Sequence, residues 1–356
     1  MRPRRYGPRA LIAILALAVV TGAGTLVAAP VGDPRTDTMR RAATRAADAT
    51  AVIRRARLAR GVPLDPSVDP NRTGLIGVES SPITTTLGDL AAKRTATNPN
   101  VAAAVVWWLV EAGVRPGAVV AIGASGSFPG LIIATLAAAH ALGAEPLVIS
   151  SVASSSWGAN IPSFTWLDME AALVAAGQAP RSLAASPGGE ADVGAGLQAD
   201  GRAMLQAAIT RNGVPPISGE SLRERIAARM AIYDRAAAGR PLAAFVNVGG
   251  AAANVGTCLE ILRIGPGVHR VLPACRQDPG VLWLMSRRGL PVVHLLHVDG
   301  MAAAFGLPRD PVPLPPPGFG APFARTPRWA AGGLLALLLV GLAAIMRWNA
   351  STARAA

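Results

Sequence analysis

The chain is predicted to be an α/β protein built on a mainly parallel, doubly wound sheet, with an apolar helix at each end. Three observations carry that expectation. Residues 117–152, GAVVAIGASGSFPGLIIATLAAAHALGAEPLVISSV, read as strand, glycine-serine turn, helix and strand. A crossover of that length joins parallel neighbours. Further short apolar runs recur downstream at 242–248 and 291–296, each closed by glycine or small polar residues, as buried parallel strands are. Finally, two uncharged apolar stretches lie at the ends, which explains why a chain 51% hydrophobic and 15% charged has a mean hydropathy of +0.38. The arrangement is Rossmann-like, with ligands expected beyond the carboxyl ends of the strands.

In chain order, 1–9 is a basic flank carrying Arg2, Arg4, Arg5 and Arg9, and 10–29 is a transmembrane helix or signal anchor, with a cleaved signal peptide as the alternative. Residues 30–73 form a basic juxtamembrane helix, arginine-rich over 35–60, followed by a Pro/Asp linker. That helix is either a solvated charged face or a surface for a membrane or an acidic polymer. The α/β domain spans 74–307. Its expected elements are a first strand over 74–78, a short threonine-capped helix over 90–94, and a helix over 101–113 behind the turn Asn98-Pro99-Asn100. The central unit follows, with Gly143 ending its helix, then helices over 197–212 and 221–238. A proline-rich tether, 308–328, leads to a second transmembrane helix, 329–348, edged by Trp329 and Trp348, and a tail, 349–356. Both termini are expected in the cytoplasm, which places the domain outside it.

The net charge of +13 arises largely from arginine near these end segments. Aromatics are few and no nucleic-acid module is recognisable, so nucleic acid is not an expected partner. One residue among the 34 Lys+Arg is lysine, Lys93. Cys258 and Cys275 either pair in a disulfide or are both free, and two thiols make no metal pattern. No metal or cofactor is expected.

Five segments, GLIGVESSPITTTLGDLAAKRTATNPN, VAIGASGSFPG, LVISSVASSSWGANIPSFTWLDME, FVNVGGAAANVG and PVVHLLHVDG, occur in that order. Through them roughly residues 70–325 resemble the poly-γ-glutamate system protein family, membrane-associated bacterial proteins found with the machinery that makes and exports poly-γ-glutamate. The resemblance implies a role in that pathway, with its synthase or export subunits as partners, and no particular reaction.

The candidate chemistry centres on Gly123-Ala124-Ser125-Gly126-Ser127. As an anion cradle, backbone amides and hydroxyls of Ser125 and Ser127 hold a carboxylate or phosphate. As a nucleophile elbow, Ser125 attacks with His294 as base and Asp299 orienting it, although Ser127 stands where a glycine belongs. The turn also reads as tight packing alone. The Walker lysine is absent, which disfavours ATP-driven ligation. The ligand-binding set is Glu79, Thr84, Thr85, Lys93, Gly123, Ser125, Ser127, Ser150, Ser151, Asn160, Asn247, Gly249 and Gly250. Asp89 and Lys93 at i and i+4 are expected either to pair or, with Arg94 beside Lys93, to meet an acidic ligand. Asp168 and Glu170 are either an acid and base pair or two carboxylates at a helix start. The expected function is an extracytoplasmic, membrane-anchored accessory component that binds an anionic glutamyl ligand. The alternative is a serine hydrolase or amidotransferase acting on γ-glutamyl bonds.

Overall fold

The computed structural model describes residues 8–27, 34–320, 323 and 328–355. Two compact units result, Arg35–Phe323 and the two chain ends. At the ends, α1 (Pro8–Val27) packs along α12 (Arg328–Ala355), with Leu17 seated against Gly341. Among the described residues one helix is long and apolar enough to cross a membrane, over Gly332–Asn349. The apolar part of α1, Leu11–Ala23, is shorter, so the expectation of two spanning helices is met by length and composition at one end only.

The larger unit begins with α2 (Pro34–Ala59), α3 (Leu90–Ala96) and α4 (Val101–Glu111). Strand β1 (Val119–Ser125), α5 (Pro129–Ala141) and β2 (Glu145–Ser151) form the expected crossover. Gly143, at φ +70°, ends α5 in the left-handed region. A small hairpin, β3 (Asn160–Ile161) and β4 (Phe164–Thr165), leads into α6 (Trp166–Ala175) and β5 (Ala184–Ser186). Then come α7 (Ala199–Arg211), α8 (Leu222–Ala237), β6 (Leu242–Val248) and α9 (Ala252–Val255). The chain closes through β7 (Gly267–His269), α10 (Val281–Arg287), β8 (Val292–Leu295) and α11 (Val298–Phe305).

The sheet order is β5-β2-β1-β6-β8-β7, parallel except for β7 against β8. Alternation along β1 divides the core. Val120, Ile122 and Ala124 pack with α2, α4, α5, α6, α7 and α11, while Val119 and Ala121 pack with α8, α9 and α10. From β1 the chain winds outward to β2 and β5, then returns to β6 on the other side. The reversal between β1 and β6 opens a crevice at their carboxyl ends.

Several expectations are corrected. The basic helix is not a solvated arm: Met39, Ala42, Ala43, Ala46, Ala49 and Ile53 of α2 are buried. Small residues at helical spacing supply this face, which is why it lacks an obvious apolar stripe. Buried Arg57 donates to the carbonyls of Gly74 and Ile76 at 3.1 and 2.6 Å. The segment 61–73 is ordered rather than a linker, since Asp69 accepts from the amides of Thr73 and Gly74. Residues 74–78 form no sheet strand. Asp89, not a threonine, caps α3 by accepting from the Ala92 amide at 3.1 Å.

The expected tether is part of the compact unit up to Phe323. Asn71 donates to the Pro311 carbonyl at 2.8 Å, Asn100 donates to that of Pro316 at 3.0 Å, and Arg94 pairs with Asp310. Residues 321, 322 and 324–327 of that tether, and 28–33 of the first hydrophobic segment and linker, lie outside the described residues. Cys258 and Cys275 form a disulfide.

Candidate functional site

A cleft of about 750 Å³ opens at the β1/β6 crevice. Ser125 ends β1 and lies in register with Ser151 at the end of β2, so both hydroxyl-bearing residues reach the cleft. Gly249, at φ +80°, carries β6 past Ser125; a Cβ there would come within 3.0 Å of the serine's own. Only glycine allows that approach. Ser127 and Phe128 follow β1, and Gly250 and Ala251 follow β6.

The opposite wall is built from two segments distant in sequence. Residues 84–86 run beside 154–156: the Thr85 amide donates to the Ser154 carbonyl and the Ser156 amide to that of Thr86, both at 2.9 Å. This brings Ser155 to the cleft, where its amide donates to Ser127 Oγ at 3.0 Å. Helix α3 sends Lys93 in from the side. Its Nζ donates to the Ser127 carbonyl and, at 2.7 Å, to Ser155 Oγ, and lies 3.7 Å from the centroid of the Phe128 ring. Lys93 is 4% exposed. Burial lowers its pKa to about 7, and the nearby Asp89 carboxylate only partly opposes this.

The mouth is acidic. Asp89, Glu190 and Asp299 line it, and Arg309 bridges two of them, at 3.2 Å to Asp89 and 3.0 Å to Asp299. Glu190 belongs to a glycine-rich loop anchored from beneath. There the buried Arg229 donates to Asp192 at 2.9 Å, Ser186 at 2.7 Å and Ser151 at 2.9 Å.

Of the residues expected at a site, the cleft gathers Thr85, Lys93, Ser125, Ser127, Ser151, Gly250 and Asp299. The others do not line it, although Gly249 abuts Ser125 from β6. Glu79 is exposed outside it. Asn160 fastens a wall, donating to the Val78 carbonyl at 2.7 Å and to Thr84 at 2.9 Å. Ser150 shares a hydrogen bond with Ser182 at 2.8 Å and accepts one from Trp166 at 3.2 Å, on the other face of the sheet. Gly123 leaves room for the Asn254 side chain.

The Ser125–His294–Asp299 triad is not assembled. His294 is buried on β8, bonded through Nδ1 to Asn247 at 3.0 Å. Burial, then the charges of His297 and His269, hold its pKa at about 3. Asp299 faces Arg309 and Ser125 Oγ accepts the Ser127 amide at 3.3 Å. The expected Asp89–Lys93 pair is also absent: Asp89 turns to its cap and to Arg309, and Lys93 to the serines.

Asp168 and Glu170 are structural. Asp168 caps α6 with Thr165 and pairs with Arg60 and Arg211 at 2.7 and 2.6 Å. Burial alone would raise its pKa, but those partners and Asn212 hold it at about 2. Glu170, raised by burial to about 7, accepts from the Ser182 amide and hydroxyl at 3.0 and 2.5 Å.

The sequence places the serine cluster that includes Ser154 to Ser156 at the strand end where the site is expected, while nothing in it singles out Ser155, Glu190 or Phe128 individually. The serine-rich run 150–156 was the available signal for Ser155, but pattern alone did not select one hydroxyl. Compared with protein-family profiles, curated proteins and solved structures, the chain matches none.

Proposed function

We propose that this chain is a membrane-anchored, extracytoplasmic accessory protein of poly-γ-glutamate synthesis or export, binding an anionic glutamyl group in the β1/β6 cleft. The observation that carries the reading is a single buried amine, Lys93, set among Ser125, Ser127 and Ser155 beyond the ends of parallel strands. An amine and convergent hydroxyls suit a carboxylate. The acidic mouth disfavours a long polyanion threaded through the cleft, so the ligand is a chain end or a short γ-linked glutamyl unit. Its amino group would meet Asp89, Glu190 or Asp299.

The pathway assignment rests on the family resemblance of residues 70–325. The disulfide suits an oxidising compartment. For the anchor, α12 supplies a segment of spanning length and α1 packs against it, so both end helices lie in the bilayer in this reading. Synthase or export subunits are the protein partners it implies.

The test is calorimetric titration of the full chain in detergent micelles with short γ-linked glutamyl oligomers at increasing salt. Saturable binding should weaken with salt and fall by about tenfold or more in Lys93→Met, the scale of one charge-assisted hydrogen bond. Absence of binding by the wild type at low salt would reject the reading.

A further inference from the structure

We infer that Ser155 and Lys93 form a nucleophile–base pair that cleaves or transfers an amide bond, with the γ-glutamyl amide as substrate. The substrate rests on the function proposed above, whereas the pair rests on the contact between the two side chains and on the burial of the amine. Lys93 Nζ lies 2.7 Å from Ser155 Oγ, within reach for direct proton transfer. Ser155, 8% exposed, is among the residues that line the cleft, which is where a bound carbonyl would meet it.

The amine is aimed. One N–H is held by the Ser127 carbonyl and the Phe128 ring covers another side. In the neutral state the lone pair can therefore accept the Ser155 hydroxyl proton along the same line. The serine is fixed by its amide bond to Ser127 Oγ and by the pairing of 154–156 with 84–86. A lysine drawn to about 7 by burial is substantially neutral at neutral pH, which an exposed lysine is not. Serine–lysine pairs are one recurrent solution to activating a hydroxyl on unrelated folds.

In the reaction, Ser155 Oγ bonds to the amide carbonyl carbon as its proton passes to Lys93 Nζ. The C–N bond then breaks, the leaving amine takes that proton, and an ester remains on Ser155. Water, or the amino group of a second glutamyl chain, attacks the ester carbonyl and gives its proton to Lys93. The bond to Ser155 Oγ breaks and the oxygen recovers the proton. While Lys93 carries the proton, its ammonium faces an anionic substrate, so ligand charge and catalysis reinforce each other.

The experiment treats the full chain in detergent micelles with a fluorophosphonate probe from about pH 5.5 to 8.5, mapping the adduct by mass spectrometry. Expected is an adduct on Ser155 in the wild type, formed at least about tenfold faster above pH 7 than at the acid end. Ser155→Ala should abolish it. Lys93→Met and Lys93→Arg should both slow it about a hundredfold, the lower range for a lost general base. Arginine keeps the charge but stays protonated and so offers no lone pair to accept the hydroxyl proton, and equal loss in both separates a base from a mere cation.

No adduct on wild-type Ser155, or an adduct formed equally fast by Lys93→Met, overturns the pair. The mapping in wild type needs no variant to fold. Titrating Ser155→Ala with γ-glutamyl oligomers distinguishes the two readings. Binding without wild-type labelling rejects the pair and keeps the proposed function. Labelling of Ser155 without binding supports the pair and rejects the substrate.

Discussion

Lys93 makes the protein more stable as pH rises above neutrality, the reverse of what a paired surface lysine does. Its ordinary pKa is 10.5 and burial draws it to about 7. Between those values the unfolded chain holds a proton that the folded chain has shed, so stability climbs with pH across that window. The full span corresponds to roughly 5 kcal/mol as an upper bound, and pH 7 to 9 captures about 2 kcal/mol of it. Glu170, raised by burial to about 7, acts in the opposite sense and removes about 0.4 kcal/mol over the same interval. Tyr233, buried and raised, begins to oppose the trend only above about pH 10. Urea unfolding of the full chain in micelles, followed by tryptophan fluorescence at pH 7 and 9, measures the slope. Lys93→Met should flatten it while keeping most of the apolar stem. A wild type that is flat between these pH values, or a variant that keeps the wild-type slope, would refute the buried, depressed lysine.

Arg229→Met should destabilise by about 3–5 kcal/mol, because Asp192 is left charged and buried beneath the glycine-rich loop. Adding Asp192→Asn should recover part of that loss in a double-mutant cycle. Asp168, held at about 2 against an ordinary 3.8, stabilises by about 2 kcal/mol above pH 4. That contribution should disappear as pH falls from about 4 through 2, and Asp168→Asn should remove this acid sensitivity in a pH-dependent melt. Reducing the Cys258–Cys275 disulfide, which spans 17 residues, should cost up to about 3 kcal/mol, read as a lower Tm with reductant.

Much of the sheet was legible because its strands are short, continuous apolar runs ending at glycine or serine. The crossover at 117–152, the strand at 242–248 and the helix after Ser221 emerge close to where their patterns place them. The three-residue strands β5 and β7 were not legible, since Ala184–Ser186 and Gly267–His269 carry no periodicity and are strands only by pairing with neighbours. The buried face of α2 was missed for a related reason. Alanine registers weakly in any hydrophobic pattern, yet it allows close helix packing.

Local chain chemistry decided the fold class, the parallel crossover and the prominence of the serine-glycine turn. Those depend on contacts between residues near in sequence and on simple alternation of polarity. Which hydroxyl meets the lone lysine was decided only by tertiary structure. Lys93, Ser127 and Ser155 are brought together by the pairing of 84–86 with 154–156 and by helix α3 packing beside β1's exit turn. The same long-range geometry separates His294 from Ser125, because β6 lies between their strands and His294 is bonded to Asn247 of that strand.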